Sequence, residues 1–233
     1  MPVPATTGVE REKIEDMKIG DYIVRAYVNS EWKIGVDISS LTEIPYTGVV
    51  WGSDLTNKYH YMIKVNKGLL ISDRVTHNTV SWDSLNGTYK WIQGVETTLG
   101  GISGKLRSLT GGVAYTDVNR NKSLTDQGYG GWPTNNEWDM YIVNFPKNKI
   151  QQGKTVDDVF HHNRERDSVP YTYCQDTTIN GLVRSGTTSA AGANNMRVYR
   201  AKMTALPSQM NFGSSSGSGV DYGFRPVFEY KEV

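Results

Sequence analysis

Seven side chains toward the C-terminus carry the chemistry of sugar and anion recognition: Arg184, Asn194, Asn195, Arg197, Tyr199, Arg200 and Tyr222. They lie in or beside stretches rich in Gly, Ser and Asn. Tyrosine offers a flat apolar face and a polar tip at small entropic cost. Asparagine donates and accepts together, which suits vicinal hydroxyls. Arginine can hold a phosphate or carboxylate through two parallel N–H bonds. Singly, each is explained as well by an ordinary solvated position. As a set they form the expected ligand surface.

Three other groupings have weaker claims. Asp117, Asn119, Asn121 and Ser123 alternate along a polar segment with Asp126 beyond it, like the start of a calcium loop. The central glycine and terminal glutamate of such a loop are missing, so Asx turns explain the pattern better. His161 and His162 are adjacent, point in different directions on a helix and have no evident third ligand. A solvated helix end is expected there, and His60 and His77 are isolated in sequence. Cys174 is the single cysteine, which excludes an internal disulfide and any multi-cysteine metal site. Nucleophile-elbow, phosphate-loop and dinucleotide motifs are absent. The expectation is therefore no catalytic residue, no metal and no cofactor. A pair of hydrolytic carboxylates remains open, because such groups meet only in three dimensions.

These residues need a scaffold, and 233 residues suffice for one domain or two. Aromatic residues (14 Tyr, 6 Trp, 5 Phe) beside 24 Gly indicate a β-rich, loop-rich chain. A net charge of +1 supplies no global field for nucleic acid or acidic lipid. No apolar run is long enough to span a membrane, and residues 1–20 lack the apolar centre of a signal peptide. Alternation predicts strands over Ile19–Val28, Trp32–Ile38, Ile44–Trp51 and Tyr59–Val65, with a turn at Asn66-Lys67-Gly68 into Leu69-Leu70-Ile71. Trp82, Leu85, Tyr89 and Ile92 fall on one helical stripe, capped by Ser81 and stopped at Gly94, with Gly87 as a weak point. Residues 94–116 read as loops and short strands. Trp138, Tyr141, Ile142 and Phe145 form a second stripe behind a Thr134–Glu137 capping box, ended by Pro146. A shorter helix follows Thr155. Further strands are expected over Asn180–Arg184, Met196–Met203 and Tyr222–Tyr230, with a flexible Gly/Ser tract at 213–219.

Ser81-Trp82-Asp83, Arg107-Ser108-Leu109-Thr110-Gly111-Gly112, Asn136-Glu137-Trp138-Asp139 and Gly223-Phe224-Arg225-Pro226 occur in a fixed order. In that order and spacing the chain resembles the C-type-lectin-like fold of formylglycine-generating-enzyme relatives, in the version used by phage tail receptor-binding proteins. The resemblance implies an α+β chain: a β-rich attachment or assembly segment (1–77), then a lectin-like binding domain (78–233) with two main helices and antiparallel strands. It implies a virion protein, made in the host cytoplasm, that binds a bacterial surface glycan or teichoic-acid-type polymer. It further implies other tail proteins as partners and a homotrimeric assembly, without membrane insertion. The lone Cys174 departs from the cysteines that the oxidases need, so a binder is expected rather than an enzyme. Trp138 is expected in the core, and Arg225 is expected to pair with Glu137 or Asp139.

Overall fold

The computed structural model describes residues 3–184, 191–192, 194–203 and 210–232. In chain order, β1 (Tyr22–Val28) and β2 (Glu31–Ile34) form a hairpin. A second hairpin joins β3 (Lys58–Asn66) to β4 (Leu69–Ser72), followed by β5 (His77–Asn78) and α1 (Trp82–Gly87). A third pairs β6 (Val95–Leu99) with β7 (Ile102–Arg107). After α2 (Val156–Phe160) and α3 (Arg164–Asp167) come β8 (Tyr171–Thr177), β9 (Met196–Arg200), β10 (Met210–Ser214), β11 (Tyr222–Phe224) and β12 (Val227–Tyr230).

Two principal sheets result. The first runs β2-β1-β3-β4-β12-β7-β6, with every one of these neighbours antiparallel. It curls into a half-barrel. Strand alternation assigns its faces. Ile23, Met62, Leu70, Leu99 and Phe228 fill the inside of the curl. Val24, Tyr61, Ile63, Ile71 and Val227 pack on the other side against Trp138, Ile142, Phe145 and Phe160. The second sheet runs β10-β9-β8-β11-β5, with Val49–Val50 at its edge. A smaller three-stranded sheet lies over residues 114–132.

The expected α+β arrangement is overturned, because the structure is mostly sheet and lacks two main helices. Among the described residues no helical segment exceeds six residues. Ser81 caps α1 as expected, accepting from the Ser84 N–H at 3.0 Å. The helix then ends at Gly87, and Lys90 takes a left-handed conformation (φ +59°), so Tyr89 and Ile92 do not continue its stripe. The second stripe forms one six-residue π-helical turn, Trp138–Val143. Glu137 does not cap it. Its carboxylate holds Arg107 and the Thr110 N–H instead. The Trp138 side chain is core, 1% exposed. Residues 94–116 are also more regular than expected. Gly100 and Gly101, both at positive φ, supply the two-residue turn that pairs β6 with β7.

The two sheets share a corner. The strand pair β4/β12 belongs to the first sheet and its continuation β5/β11 to the second. The ladder survives the bend: Ser72 N–H donates to Pro226 O and Thr76 N–H to Phe224 O, each at 2.9 Å. Arg225 lies inside this corner, fully buried. It donates to Ser72 O (2.8 Å), Phe160 O (2.9 Å), His161 O (3.3 Å) and Thr172 Oγ1 (3.2 Å). It pairs with neither Glu137 nor Asp139, contrary to expectation; those carboxylates serve Arg107 and Arg200. Replacing Arg225 by Met orphans three buried carbonyls, each costing about 1–3 kcal/mol. Arg225→Met is expected to lower the urea midpoint by the equivalent of about 3 kcal/mol or more. A midpoint equal to that of the parent protein would remove the corner from the argument.

Candidate functional site

The seven residues expected to bind ligand do not form one surface. Arg200 is fully buried, and its guanidinium meets the Asp139 carboxylate and donates to Gly111 O. Burial alone would push the Asp139 carboxyl up. Arg200, with donors from Asn136 and Gly131, outweighs burial and holds it below the usual carboxylate range. This pair is framework. Tyr199 is 3% exposed and is the inner member of a tyrosine cluster, 4.8 Å from Tyr171 and 4.9 Å from the half-buried Tyr222 between ring centres. Arg184 lies over the Phe212 ring and donates to Phe212 O and to the Tyr199 hydroxyl. Arg197 lies 4.3 Å over the Trp82 ring and donates to Asn194 O. Asn194 and Asn195 are exposed. The structure thus brings Arg184, Tyr199 and Tyr222 together in one group and Asn194 and Arg197 in another.

A more open aromatic surface lies where none was expected. Trp51 follows the short edge strand Val49–Val50. Tyr89 and Trp91 follow α1, positioned by the left-handed Lys90 and by the Trp91 N–H bond to Leu85 O (3.0 Å). The three rings contact one another at 4.9 Å (Trp51–Tyr89), 5.4 Å (Trp51–Trp91) and 5.5 Å (Tyr89–Trp91). Tyr89 is 40% exposed, and both tryptophans are partly exposed. Beneath them Trp91 rests on Phe224 at 5.1 Å, and His77 packs against Trp51 at 5.2 Å. The rings are anchored from below and wet from above. Such a surface can stack on the apolar C–H face of a sugar ring while hydroxyls stay solvated. The readable signal was Tyr89-Lys90-Trp91, two large aromatics flanking a charge; Trp51 has no local sequence signal for joining them.

The other groupings resolve as follows. Asp117 Oδ1 accepts from the N–H groups of Asn119 and Asn121 at 2.8 Å each, an Asx turn. His161 and His162 do not sit at a solvated helix end: both are buried. His161 stacks on Tyr46 at 3.7 Å, and His162 approaches Asp157 at 3.5 Å. His60 and His77 are buried too and share a neighbour, Arg25. Among the described residues no group of three or more His, Cys, Asp or Glu converges as metal ligands would. A concavity of about 560 Å³ is walled by Phe145, Pro146, Ile150 and Val156 and has no carboxylate among its lining residues. No protein-family model, curated protein or solved structure matches the chain.

All four histidines of the chain are buried, and in each burial is the first cause of a lowered pKa. His77 and His161 fall to about 4. The unfolded chain takes up protons below about pH 6.5, where the folded protein refuses them. Stability is then fully present above that pH and declines as pH falls toward 4, by up to about 1.4 kcal/mol per pH unit per histidine. The Glu43 and Asp176 carboxyls, raised by burial, offset part of the loss. Melting curves between about pH 7.5 and 4.5 should show Tm level above about pH 6.5 and falling progressively below it. A flat profile would contradict neutral burial of the imidazoles.

Proposed function

We propose that this chain is a phage or prophage tail protein that binds a bacterial cell-surface glycan, a wall polysaccharide or a teichoic-acid-type polymer. The observation that carries the binding is the water-facing cluster of Trp51, Tyr89 and Trp91. Large aromatic rings held against one another, yet left open to water, forgo burial that a core would have provided. A sugar face supplies the missing apolar cover. Asn194, Arg197 and Tyr222 offer secondary polar contacts. The tail origin rests on the order of the short motifs, and the lectin-like fold is no part of it. Recognition at one such site is weak, and a trimer assembled with other tail proteins would multiply it through avidity.

The test is binding of fluorescently labelled protein to a panel of Gram-positive cells, before and after removal of wall teichoic acids and polysaccharides. Saturable binding that disappears on removal is the expected result. Trp51→Ala and Tyr89→Ala should each weaken it about tenfold or more, at unchanged folding by circular dichroism. Binding that persists in both variants would move the ligand away from this surface. Failure of the folded, assembled protein to bind any strain would leave a structural tail component without host ligand.

A further inference from the structure

Five arginines in the described residues are buried, and four of them are well supplied with acceptors. Arg74 has Asp73, Glu43 and Ile44 O. Arg107 has Glu137, Glu229 and Ser108 O. Arg200 has Asp139 and Gly111 O, and Arg225 has three carbonyls and a hydroxyl. Arg25 differs. It is 4% exposed, yet among the described residues its side chain makes one hydrogen bond, from Nη1 to His60 Nε2 at 3.3 Å. Its Nε is buried with no hydrogen-bond partner among the described residues. Desolvation pulls its pKa down to about 9, with no carboxylate opposing the shift.

The one partner it has is neutral. The Ser72 hydroxyl donates to Arg74 O at 2.8 Å, so its oxygen accepts from His60 Nδ1 at 2.9 Å. The proton therefore sits on Nδ1, and Nε2 presents its lone pair to Arg25. His77, the second imidazole near Arg25, is also held neutral, by burial first and then by the Arg25 charge. A full positive charge is thus buried beside two uncharged rings, an arrangement that costs stability unless a counter-charge arrives.

The guanidinium faces a cavity of about 210 Å³ at the seam where the curled sheet fails to close. Strand β2 lies at one edge of the sheet, where the short strand Glu10–Arg11 also pairs with β1, and β6 lies at the other; β2 and β6 are not hydrogen-bonded to each other. Trp32, whose ring lies 3.8 Å from the Arg25 guanidinium, walls one side. Trp91 and Val95 wall the other, with Leu106 and Phe228 beneath. Trp91 is also a member of the open aromatic surface, so the cavity adjoins it. All of Val95–Leu99 borders the cavity, Glu96 included; alternation along β6 makes Val95 and Thr97 its inward members, while Glu96 is exposed and also lines the outer surface with Lys105 and Glu229.

We propose that this seam cavity is an oxyanion-binding site, in which Arg25 takes the carboxylate or phosphate of a single acidic sugar unit while Trp32 and Trp91 flank its ring. The oxyanion part stands on the cavity alone; the sugar part rests on the glycan reading of the adjoining surface. The volume lies below that of drug-sized pockets and suits one small ring. A carboxylate or phosphate in the cavity would supply the counter-charge that Arg25 lacks among the described residues.

Titration of intrinsic tryptophan fluorescence with glucuronate, glycerol 3-phosphate and inorganic phosphate, against glucose as the neutral control, tests this. Saturable binding of at least one oxyanion at millimolar concentration is expected. Glucuronate alone points to a sugar acid, and the phosphates alone to a polyol-phosphate polymer; either supports the site. Arg25→Met should abolish the response. It should melt no lower than the parent, because it removes an uncompensated charge and orphans no carbonyl. Thr97→Glu, which places a carboxylate on the facing strand, should raise Tm and block binding. Trp51→Ala should leave oxyanion binding within twofold, so failure of the platform and failure of the cavity are distinguishable. No binding of any oxyanion by the parent protein, or undiminished binding in Arg25→Met or Thr97→Glu, overturns the proposal.

Discussion

The fold depends on the bend at which one antiparallel strand pair leaves the first sheet and enters the second. Two strands from opposite ends of the chain, residues 69–78 and 222–230, make the crossing side by side. A bend of this kind exposes carbonyls that a straight ladder would satisfy. Arg225 collects three of them, from Ser72, Phe160 and His161, and reaches Thr172 in the second sheet. One guanidinium thereby ties together the half-barrel, the end of α2 and the second sheet. Its charge is spread over carbonyl dipoles and needs no carboxylate. Neighbouring Arg74 uses carboxylates from Asp73 and Glu43. Both arginines lie on the corner itself, beside β4 and beside β12.

The Trp51, Tyr89 and Trp91 rings are supported from that corner. His77, on the strand leaving it, supports Trp51 and Trp91. Phe224, on the partner strand, supports Trp91 from below. Rotating one sheet against the other would separate Trp51 from Tyr89 and Trp91, because Trp51 follows the edge strand beside β5 and the other two precede β6. The aromatic surface is therefore preorganised by sheet geometry, although its residues lie in connections.

Much of the first sheet was legible. Tyr22–Val28, Lys58–Asn66 and the turn at Gly68 follow from alternation and turn chemistry. The helices were misread for a definable reason. Trp82, Leu85, Tyr89 and Ile92 have helical spacing, but a stripe reports burial at intervals and does not report whether the backbone between is continuous. Gly87 and Lys90 break it, and Tyr89 turns to water. Residues 94–116 read as loops and short strands without a stated pairing; the Gly-Gly turn and inward Val95, Thr97 and Leu99 are the features that make 95–107 one hairpin. At the expected site, residue type was legible and placement was not. Arg200 and Arg197 sit three residues apart, one fully buried on Asp139 and the other stacked on Trp82. Arg25 escaped notice because both faces of its strand are buried, so alternation cannot distinguish an inward charge from an outward one.

The open seam has a consequence for how such a protein can diversify. In a closed barrel the gap between neighbouring strands is fixed at about 4.8 Å by backbone hydrogen bonds. Here the edges of β2 and β6 meet through side chains: a Cβ added at Gly100 would fall 2.2 Å from Ile34 Cδ1. The spacing of the seam at this point is therefore set by a few side-chain atoms that mutation can change one at a time, with no ladder bond broken. Ile34 and the turn at 100–101 act as an adjustable spacer on a fixed frame. Changes at Ile34 or at 100–101 would alter the seam without touching the three carbonyls that Arg225 holds at the corner.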